Sequence, residues 1–223
     1  MSDLFGSGSD EAAVFKPLAE SLRPKTIDEV IGQDQILSPD APLGAMLASG
    51  RLSSLIFWGP PGVGKTTLAR LLSDHTQRHF EQISAIFTGV TDLKKVFEAA
   101  KVRASNGRGT LLFVDEIHRF NKAQQDGFLP HMEDGTILLV GATTENPSFE
   151  LNAAVLSRAQ VMVLTRLSED ELQKLLSRAE AELGDVLKLN DEGRVTLVSM
   201  ADGDGRALLN LVEQVFAWKP KSP

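Results

Sequence analysis

The sequence predicts an α/β fold, in which a parallel sheet is covered by helices on both faces and followed by a small all-helical region. Two observations predict this fold: short apolar runs alternate with longer amphipathic stretches, and the alternation stops after residue 167, where helical patterns take over. The chain has 223 residues, 42% hydrophobic and 24% charged, which is enough for one domain with a sizeable core and a smaller satellite. Such a composition excludes a disordered or fibrous protein.

The predicted strands are short apolar runs, and the predicted helices repeat apolar residues at helical spacing. The strands are expected at residues 55–58, 81–84, 110–114, 136–140 and 161–164. The helices between them are expected at 65–76, 92–104, 121–132 and 153–158. Because each strand is joined to the next through a helix, we expect a parallel sheet.

The ends of the chain carry weaker patterns. Before the first strand, an apolar stretch at 15–22, a helix start at 26–29 that stops at Gly32, and a helix at 42–49 are expected. After the last strand, Ser168 with Glu171 forms a capping box, and two further helical stretches follow around 194–201 and 206–216. The predicted division is a mobile tail at 1–14, an α/β domain at 15–167, a helical lid domain at 168–218 and a tail at 219–223.

Charge and composition limit the possible functions. The chain has 23 Lys and Arg against 30 Asp and Glu, a net charge of −7, so any contact with DNA must be local or arise from assembly. It has no cysteine, which excludes disulfides and cysteine-based zinc sites, and its four histidines are scattered. No signal sequence and no membrane-spanning run are present, so a cytoplasmic protein without a membrane partner is expected.

The clearest motif is a glycine-rich loop at residues 59–67, directly after a predicted strand and directly before a helix. It satisfies the P-loop pattern, whose backbone N–H groups surround phosphates. Lys65 is expected to reach the β- and γ-phosphates of ATP, Thr66 to bind Mg²⁺ and Thr67 to lie near the α-phosphate. A simple turn has no need of Lys-Thr at its end. The candidate nucleotide-binding residues of this loop are Gly59, Pro60, Pro61, Gly62, Val63, Gly64, Lys65, Thr66 and Thr67.

The second motif is the apolar run 111–116, which ends in two carboxylates. Asp115 is predicted to hold Mg²⁺, commonly through water, and Glu116 to polarise the water that attacks the γ-phosphate. Taken alone, the pair also fits two solvated acids after a strand, a reading that the upstream P-loop disfavours. The run 115–118 also matches the box of some helicases, but those need two RecA-like lobes, and the second is absent from this sequence.

Three weaker polar positions complete the set. Thr144, with Thr143, follows the strand at 136–140, where a hydroxyl beside the γ-phosphate would sense hydrolysis. Arg158 ends a short helix, and Arg206 opens the last helix. Taken singly, each position has an explanation without function that fits at least as well. Thr143 and Thr144 fit a threonine pair at a strand end, and Arg158 and Arg206 fit surface arginines.

Together these motifs resemble the AAA+ ATPases. In chain order they are the P-loop, Asp115-Glu116, Thr144, Ser157-Arg158 and Gly203-Asp204-x-Arg206. Within that superfamily, the runs 115–136 and 141–151 resemble the RarA/MgsA family, the replication-associated recombination ATPases related to Werner-helicase-interacting protein. The resemblance covers nearly everything from residue 15 to 216.

The resemblance implies a P-loop sheet of the ASCE type, in which the strand at 136–140 lies between the P-loop strand and the strand that ends at Asp115. It implies that Thr144 is sensor 1 and that Arg206 is sensor 2. It also implies that Arg158 is an arginine finger, given in trans to a neighbouring subunit.

The resemblance also assigns Arg23-Pro24 and Ile31-Gly32 to the adenine and ribose side of the pocket. ATP and Mg²⁺ are the implied cofactors. The implied partners are gapped, forked or ended duplex DNA, further copies of the chain, and replication proteins such as single-strand-binding protein. The implied activity is DNA-stimulated ATP hydrolysis at stalled or damaged replication forks, in a nucleoid-associated protein.

Other functions remain open. A clamp-loader subunit is one, because Ser157-Arg158 resembles that family's Ser-Arg-Cys motif, although Ala159 stands in place of the cysteine. A Holliday-junction branch-migration motor is another, because the runs 115–119 and 141–144 are shared with that family. A nucleotide-dependent binding module without turnover is the third, and the intact catalytic positions disfavour it. Family members continue into a C-terminal oligomerisation region, so a chain that is only a portion is expected to bind ATP yet assemble poorly.

A basic segment between residues 94 and 122 is the candidate DNA-facing surface, and a solvated helix face fits it equally well. Its basic residues are Lys94, Lys95, Lys101, Arg103, Arg108, Arg119 and Lys122, against the acids Glu98, Asp115 and Glu116.

Overall fold

The computed structural model describes residues 16–184, 187 and 189–218. Its strands are β1 (Ser54–Trp58), β2 (His79–Ser84), β3 (Thr110–Asp115), β4 (Ile137–Thr143) and β5 (Ala159–Val163). They form one sheet in the order β2-β3-β4-β1-β5, and every neighbouring pair is parallel. The predicted parallel sheet is confirmed, and β4 lies between β1 and β3 as the resemblance implies. The predicted tails at 1–14 and 219–223 lie outside the described residues.

The helices before β4 are α1 (Leu18–Ser21), α2 (Asp34–Leu37), α3 (Pro42–Ser49), α4 (Lys65–His75), α5 (Val90–Ser105), α6 (Lys122–Asp126) and α7 (Leu129–Glu133). Those after it are α8 (Pro147–Glu150), α9 (Ala153–Leu156), α10 (Glu169–Leu183), α11 (Asp191–Ala201) and α12 (Gly205–Ala217). Two 3₁₀ turns, Ile27–Glu29 and Ile117–Arg119, complete the described elements. No described helix combines the length and the apolar character that crossing a bilayer requires.

The three central strands of the sheet, β1, β3 and β4, are buried on both faces. Phe57 and Phe113 pack in one apolar cluster with α4, whereas Ile56, Leu112 and Val114 pack in a second cluster with α5. Burial on both faces explains why the strands read as continuous apolar runs rather than as alternating patterns.

The helix expected at 121–132 is wrong, because the structure has two short helices there. α6 begins with a capping box between Asn121 and Gln124 and ends at Asp126. Pro130, in the first turn of α7, has no N–H with which to continue the ladder to Asp126. A proline at this position starts a helix instead of extending one.

β4 is longer than the run expected at 136–140, because it continues through Gly141 to Thr143. Gly141 pairs with Ile56 of β1 and stays inside the ladder. A Cβ at Gly141 would lie 2.8 Å from Ile56 Cδ1 and 2.9 Å from Ile117 Cδ1, so this glycine permits close packing and does not end the strand.

The helices α10, α11 and α12 follow the sheet and form a third apolar cluster, in which α1 takes part through Leu18. The capping box predicted at Ser168 and Glu171 begins α10. In the part of the chain that the structure describes, no strand follows β5. The chain segment before the sheet and the helices after it therefore pack together beside the carboxyl end of the sheet.

Candidate active site

A pocket of about 470 Å³ lies where the P-loop, the carboxyl ends of β3 and β4, and the helices α10 and α12 meet. This volume falls within the range of small-molecule sites. The predicted site residues that line it are Arg23, Pro24, Ile31, Pro61, Gly62, Val63, Gly64, Lys65, Thr66, Thr67, Asp115, Glu116, Thr144 and Arg206. Gly59, Pro60, Gly32 and Arg158 are not among the lining residues.

The P-loop backbone turns through two glycines in the left-handed region, Gly62 at φ 70° and Gly64 at φ 97°. Gly64 is the N-cap residue of α4, so the amino end of this helix and its positive potential face the pocket. A Cβ at Gly62 would lie 1.7 Å from Oδ1 of Asp204. The loop therefore approaches the segment before α12 as closely as glycine allows.

Lys65 is held by its own loop. Its Nζ donates to the carbonyl oxygens of Gly59 and Pro60, at 2.6 and 2.7 Å. Burial lowers the pKa of Lys65, whereas the carboxylates of Glu116, Asp115 and Asp204 act in the opposite direction. Gly59 and Pro60 thus act on the pocket through Lys65 without lining it.

Thr66 and Asp115 offer oxygen atoms on the same pocket wall. Thr66 stands in the first turn of α4, and Asp115 is the half-buried last residue of β3. A hydroxyl and a carboxylate are the hard oxygen donors that Mg²⁺ prefers, and Mg²⁺ typically takes few protein ligands beside phosphates and water. No cluster of three or more His, Asp or Glu able to hold a metal ion occurs among the described residues. The pair therefore fits Mg²⁺ better than an all-protein metal cage.

Glu116 follows β3 in a left-handed conformation, at φ 53° and ψ 44°. Its Oε2 lies 3.3 Å from Nδ1 of His118. The same ring nitrogen is 2.9 Å from Oγ1 of Thr143. Sequence reasoning missed this contact, because His118 was considered there only as part of family motifs and of a helicase box, with no role of its own.

The two threonines at the end of β4 face different ways. Thr143 is buried, and its hydroxyl contacts His118 and the backbone of Glu145. Thr144 is exposed and lines the pocket. The structure thus brings Thr144, and not Thr143, to the pocket wall.

Arg158 lies outside the pocket of its own chain. Its side chain, 39% exposed, is paired with Glu133 at 2.6 Å. It also donates to the carbonyl oxygen of Ala154 and to Oγ of Ser157. The chain does not bring Arg158 to its own P-loop.

The start of α12 closes the pocket from the helical side. Asp204 caps this helix by accepting from the N–H of Ala207, at 2.9 Å. Arg206, in the first turn, is exposed and lines the pocket. Both Arg206 and Lys65 line the pocket, and the positive charge of Arg206 acts to lower the pKa of Lys65.

The segment before the sheet forms a further wall of the pocket and contacts the end of the phosphate loop. Arg23 donates from Nη1 to Oγ1 of Thr67, at 3.3 Å, and Pro24 and Ile31 line the pocket beside it. Gly32 instead packs against Leu167, just before α10, and against Glu171 in that helix. A Cβ at Gly32 would lie 2.8 Å from Cδ2 of Leu167.

Sequence reasoning missed a second group of lining residues on the helical side. They are Leu167, Leu175, Arg178, Leu209 and Asn210. A leucine on an amphipathic helix that faces a pocket follows the same periodicity as one that faces the core, so periodicity does not distinguish the pocket leucines.

The basic residues between 94 and 122 do not form one surface. Three of them are paired with acids: Lys95 with Asp92, Lys101 with Glu98, and Arg103 with Glu81. α5 has 16 residues. It is therefore about 24 Å long, which places Lys94 near its start far from Arg108 beyond its end. Lys94 follows β2 and Arg119 follows β3, so both lie at the carboxyl end of the sheet. The predicted DNA-facing surface is therefore limited to the basic residues at that end.

Comparisons with known proteins agree with this geometry. Residues 55–167 match the family model described as ATPase family associated with various cellular activities (AAA). Replication-associated recombination protein A of Escherichia coli strain K12 is 45% identical over 220 residues, which cover 96% of this chain and 49% of that protein. ATPase WRNIP1 of Dictyostelium discoideum is 42% identical over 206 residues, 91% of this chain and 24% of that protein. This chain thus spans about half the length of the bacterial relative.

Among solved structures, the RuvB Holliday junction branch migration motor of Thermotoga maritima matches with a TM-score of 0.70 and 31% sequence identity. The match covers 86% of this chain and 64% of the RuvB chain. The chain therefore belongs to the AAA family of ATPases, and the resemblance to the RarA group that its motifs indicate is confirmed.

Proposed function

We propose that this chain hydrolyses ATP with Mg²⁺ and acts on DNA at stalled or damaged replication forks. The observation that carries the catalytic part is the single pocket that gathers Lys65, Thr66, Asp115 and Glu116 at the carboxyl end of the sheet. The DNA part is supported by the relative named for replication-associated recombination.

The phosphate side of the proposed reaction uses residues of α4 and β3. Lys65 binds the β- and γ-phosphates, because it is the cation at the centre of the P-loop. Thr66 and Asp115 would hold Mg²⁺, which would supply positive charge against the negative charge that develops on the phosphates. Glu116 orients the attacking water and accepts its proton.

The other walls complete the proposed site. Pro24 and Ile31, with Leu175 and Leu209 across the pocket, supply an apolar slot for the adenine base. Thr144, which lines the pocket, acts as sensor 1 on the γ-phosphate side. Arg206 approaches the phosphates from α12 as sensor 2.

The position of Arg158 supports an oligomer in which each copy completes its neighbour's site. Arg158 does not reach the pocket of its own chain, and its guanidinium is partly exposed. In such assemblies, one subunit supplies an arginine that stabilises the charge of the transition state in its neighbour's site. We therefore propose that hydrolysis depends on assembly.

A RuvB-like branch-migration motor is the second candidate function. The solved RuvB structure favours it, with a TM-score of 0.70 over 86% of this chain. The sequence identity is higher to the recombination relative, 45% against 31%, which favours the first candidate. Stimulation by a four-way junction well beyond that by a forked duplex would reverse this preference.

The first experiment is steady-state ATP hydrolysis against protein concentration, with and without forked or gapped duplex DNA. Omission of Mg²⁺ and the Glu116→Gln variant are the controls. We expect turnover to rise more than linearly with concentration and to rise further with DNA. Bound ATP with flat, negligible turnover would instead support a binding module without turnover, and turnover without DNA stimulation would contradict the DNA part.

A further inference from the structure

The side chain of His118 is buried, and the proposed reaction does not yet use it. It lies in the 3₁₀ turn directly after Glu116, with 6% of its side chain exposed. Its Nδ1 is 3.3 Å from Oε2 of Glu116 and 2.9 Å from Oγ1 of Thr143. An imidazole nitrogen buried between a carboxylate and a hydroxyl must be a hydrogen-bonding group, because leaving it unpaired would be costly.

We propose that His118 is a positioning residue for Glu116: its Nδ1–H donates to the carboxylate and fixes the direction in which that carboxylate faces the attacking water. This inference rests on the proposed function, in which Glu116 orients that water. Within the described residues, the contact with His118 is the only polar side-chain contact of the Glu116 carboxylate. Without it, the carboxylate would be free to rotate.

The backbone at Glu116 makes this contact possible. Glu116 has a φ of 53°, in the left-handed region that is unfavourable for a residue other than glycine. The chain turns sharply there, so His118 comes back within reach of both Glu116 and the end of β4. Strain of this kind persists where the surrounding contacts hold it.

The hydrogen bonds around Thr143 indicate which nitrogen of His118 carries the proton. Oγ1 of Thr143 accepts from the N–H of Glu145 at 3.0 Å and donates to the carbonyl oxygen of Glu145 at 3.2 Å. With the hydroxyl proton used there, Nδ1 of His118 is left to donate, and its one proton is shared between Oγ1 of Thr143 at 2.9 Å and Oε2 of Glu116 at 3.3 Å, both of which accept. The tautomer protonated at Nδ1 satisfies all of these groups, whereas the other tautomer sets a nitrogen lone pair against the carboxylate.

The contact also joins two strand ends that face ATP in the proposed site. Thr143 is the last residue of β4 and directly precedes Thr144 on the pocket wall. His118 therefore links the base after β3 to the sensor position after β4. The positions of Glu116 and Thr144 become dependent on each other.

The kinetic test compares His118→Phe with His118→Asn in the assembled, ATP-hydrolysing protein. Phenylalanine fills the space without a donor, whereas the amide nitrogen of asparagine takes the place of Nδ1. We expect His118→Phe to lower kcat about tenfold, because a loosened base loses its alignment, with ATP affinity within about twofold of the parent. His118→Asn should recover most of the rate. Equal loss with both variants, or a loss confined to ATP affinity, would overturn the proposal.

A second measurement does not depend on turnover. Nitrogen-15 spectra of the imidazole rings report the tautomer of each of the four histidines, and the loss of one signal in His118→Asn assigns His118. We expect a proton on Nδ1 in the parent protein and a shift toward Nε2 in Glu116→Ala. A parent tautomer protonated at Nε2, or no change in Glu116→Ala, would overturn the positioning contact. A parent protein without ATP turnover would instead contradict the proposed function, so the two failures are distinguishable.

Discussion

The cations of the pocket and the cation proposed to serve a neighbouring copy are held in different ways. Lys65 is half-buried and held by two carbonyl oxygens of its own loop, and burial lowers its pKa. Arg158 is held at the surface by Glu133, in a pair whose side chains are 39% and 54% exposed. Exposed pairs contribute little, because solvent screens the charges and both side chains lose freedom.

This difference separates binding from hydrolysis. The residues that would bind nucleotide are preorganised within one chain, so their geometry does not depend on assembly. Arg158 is held only weakly, so it can leave Glu133 when a neighbouring copy presents its phosphates. Single chains are therefore expected to bind ATP and assembled chains to hydrolyse it.

The largest effect is expected from Arg158→Ala. Removing a trans-acting arginine should lower kcat about a thousandfold, because the charge of the transition state loses its partner, while ATP binding by the single chain is unchanged. The measurement is turnover of the assembled protein beside nucleotide binding at low concentration.

A mixing experiment tests whether Arg158 acts in trans. Arg158→Ala and Lys65→Ala are each expected to be nearly inactive alone. Mixed, they form some interfaces that pair an intact P-loop with an intact arginine, so activity should reappear. No activity in any mixture of the assembled variants would count against the trans role.

The second prediction concerns the close approach of the P-loop to the segment before α12. Gly62→Ala adds a Cβ 1.7 Å from Asp204 in a left-handed conformation. The loop must then shift away from Asp204, so its N–H groups lose their alignment on the phosphates, and we expect ATP affinity to fall about tenfold, which corresponds to about 1.4 kcal/mol. Gly50→Ala is the matched control, because Gly50 has φ 67° but nothing within 4 Å of the added atom. Equal effects of both variants on ATP binding would show that strain alone, and not the contact with Asp204, matters.

The parts of the molecule that sequence predicts well are those whose residues act within one element. The strands β1 and β3 are apolar because both faces of the sheet are buried, and the P-loop is recognisable because its glycines, Lys65 and Thr66 are contiguous. Their local pattern and their function coincide. Element boundaries were less predictable, as Gly141 and Pro130 show, because the sheet ladder continues through the first while the second begins a new helix.

The parts that sequence did not predict depend on contacts between elements. His118 meets Thr143 only because β3 and β4 are neighbours in the sheet and end at the same edge. Leu175 and Leu209 line the pocket because α10 and α12 pack beside it, and nothing in their spacing separates them from core leucines. The basic segment appeared to be one patch because sequence distance hides the length of α5.

The third prediction concerns the basic residues of α5. Lys94→Glu, at the carboxyl end of the sheet, is expected to weaken DNA binding about fivefold and to reduce the salt dependence by about one phosphate contact. Lys101→Glu is the control, because it makes the same charge change on the same helix at a residue already paired with Glu98. The measurement is DNA affinity at several salt concentrations. Equal effects of the two variants would contradict the prediction that the carboxyl end of the sheet faces DNA.

The smallest effect is expected from Glu133→Gln, which releases Arg158 from its partner. If the pair restrains the arginine in the single chain, its loss makes Arg158 more available to a neighbour, and turnover at limiting protein concentration should rise about twofold. At saturating concentration the rate should be unchanged, because Arg158 has then already left Glu133. A fall in rate at every concentration would mean that Glu133 aims Arg158 at the neighbouring site and does not merely hold it. The direction of the change in turnover therefore distinguishes a Glu133 that only holds Arg158 in the single chain from one that orients it toward the neighbouring site.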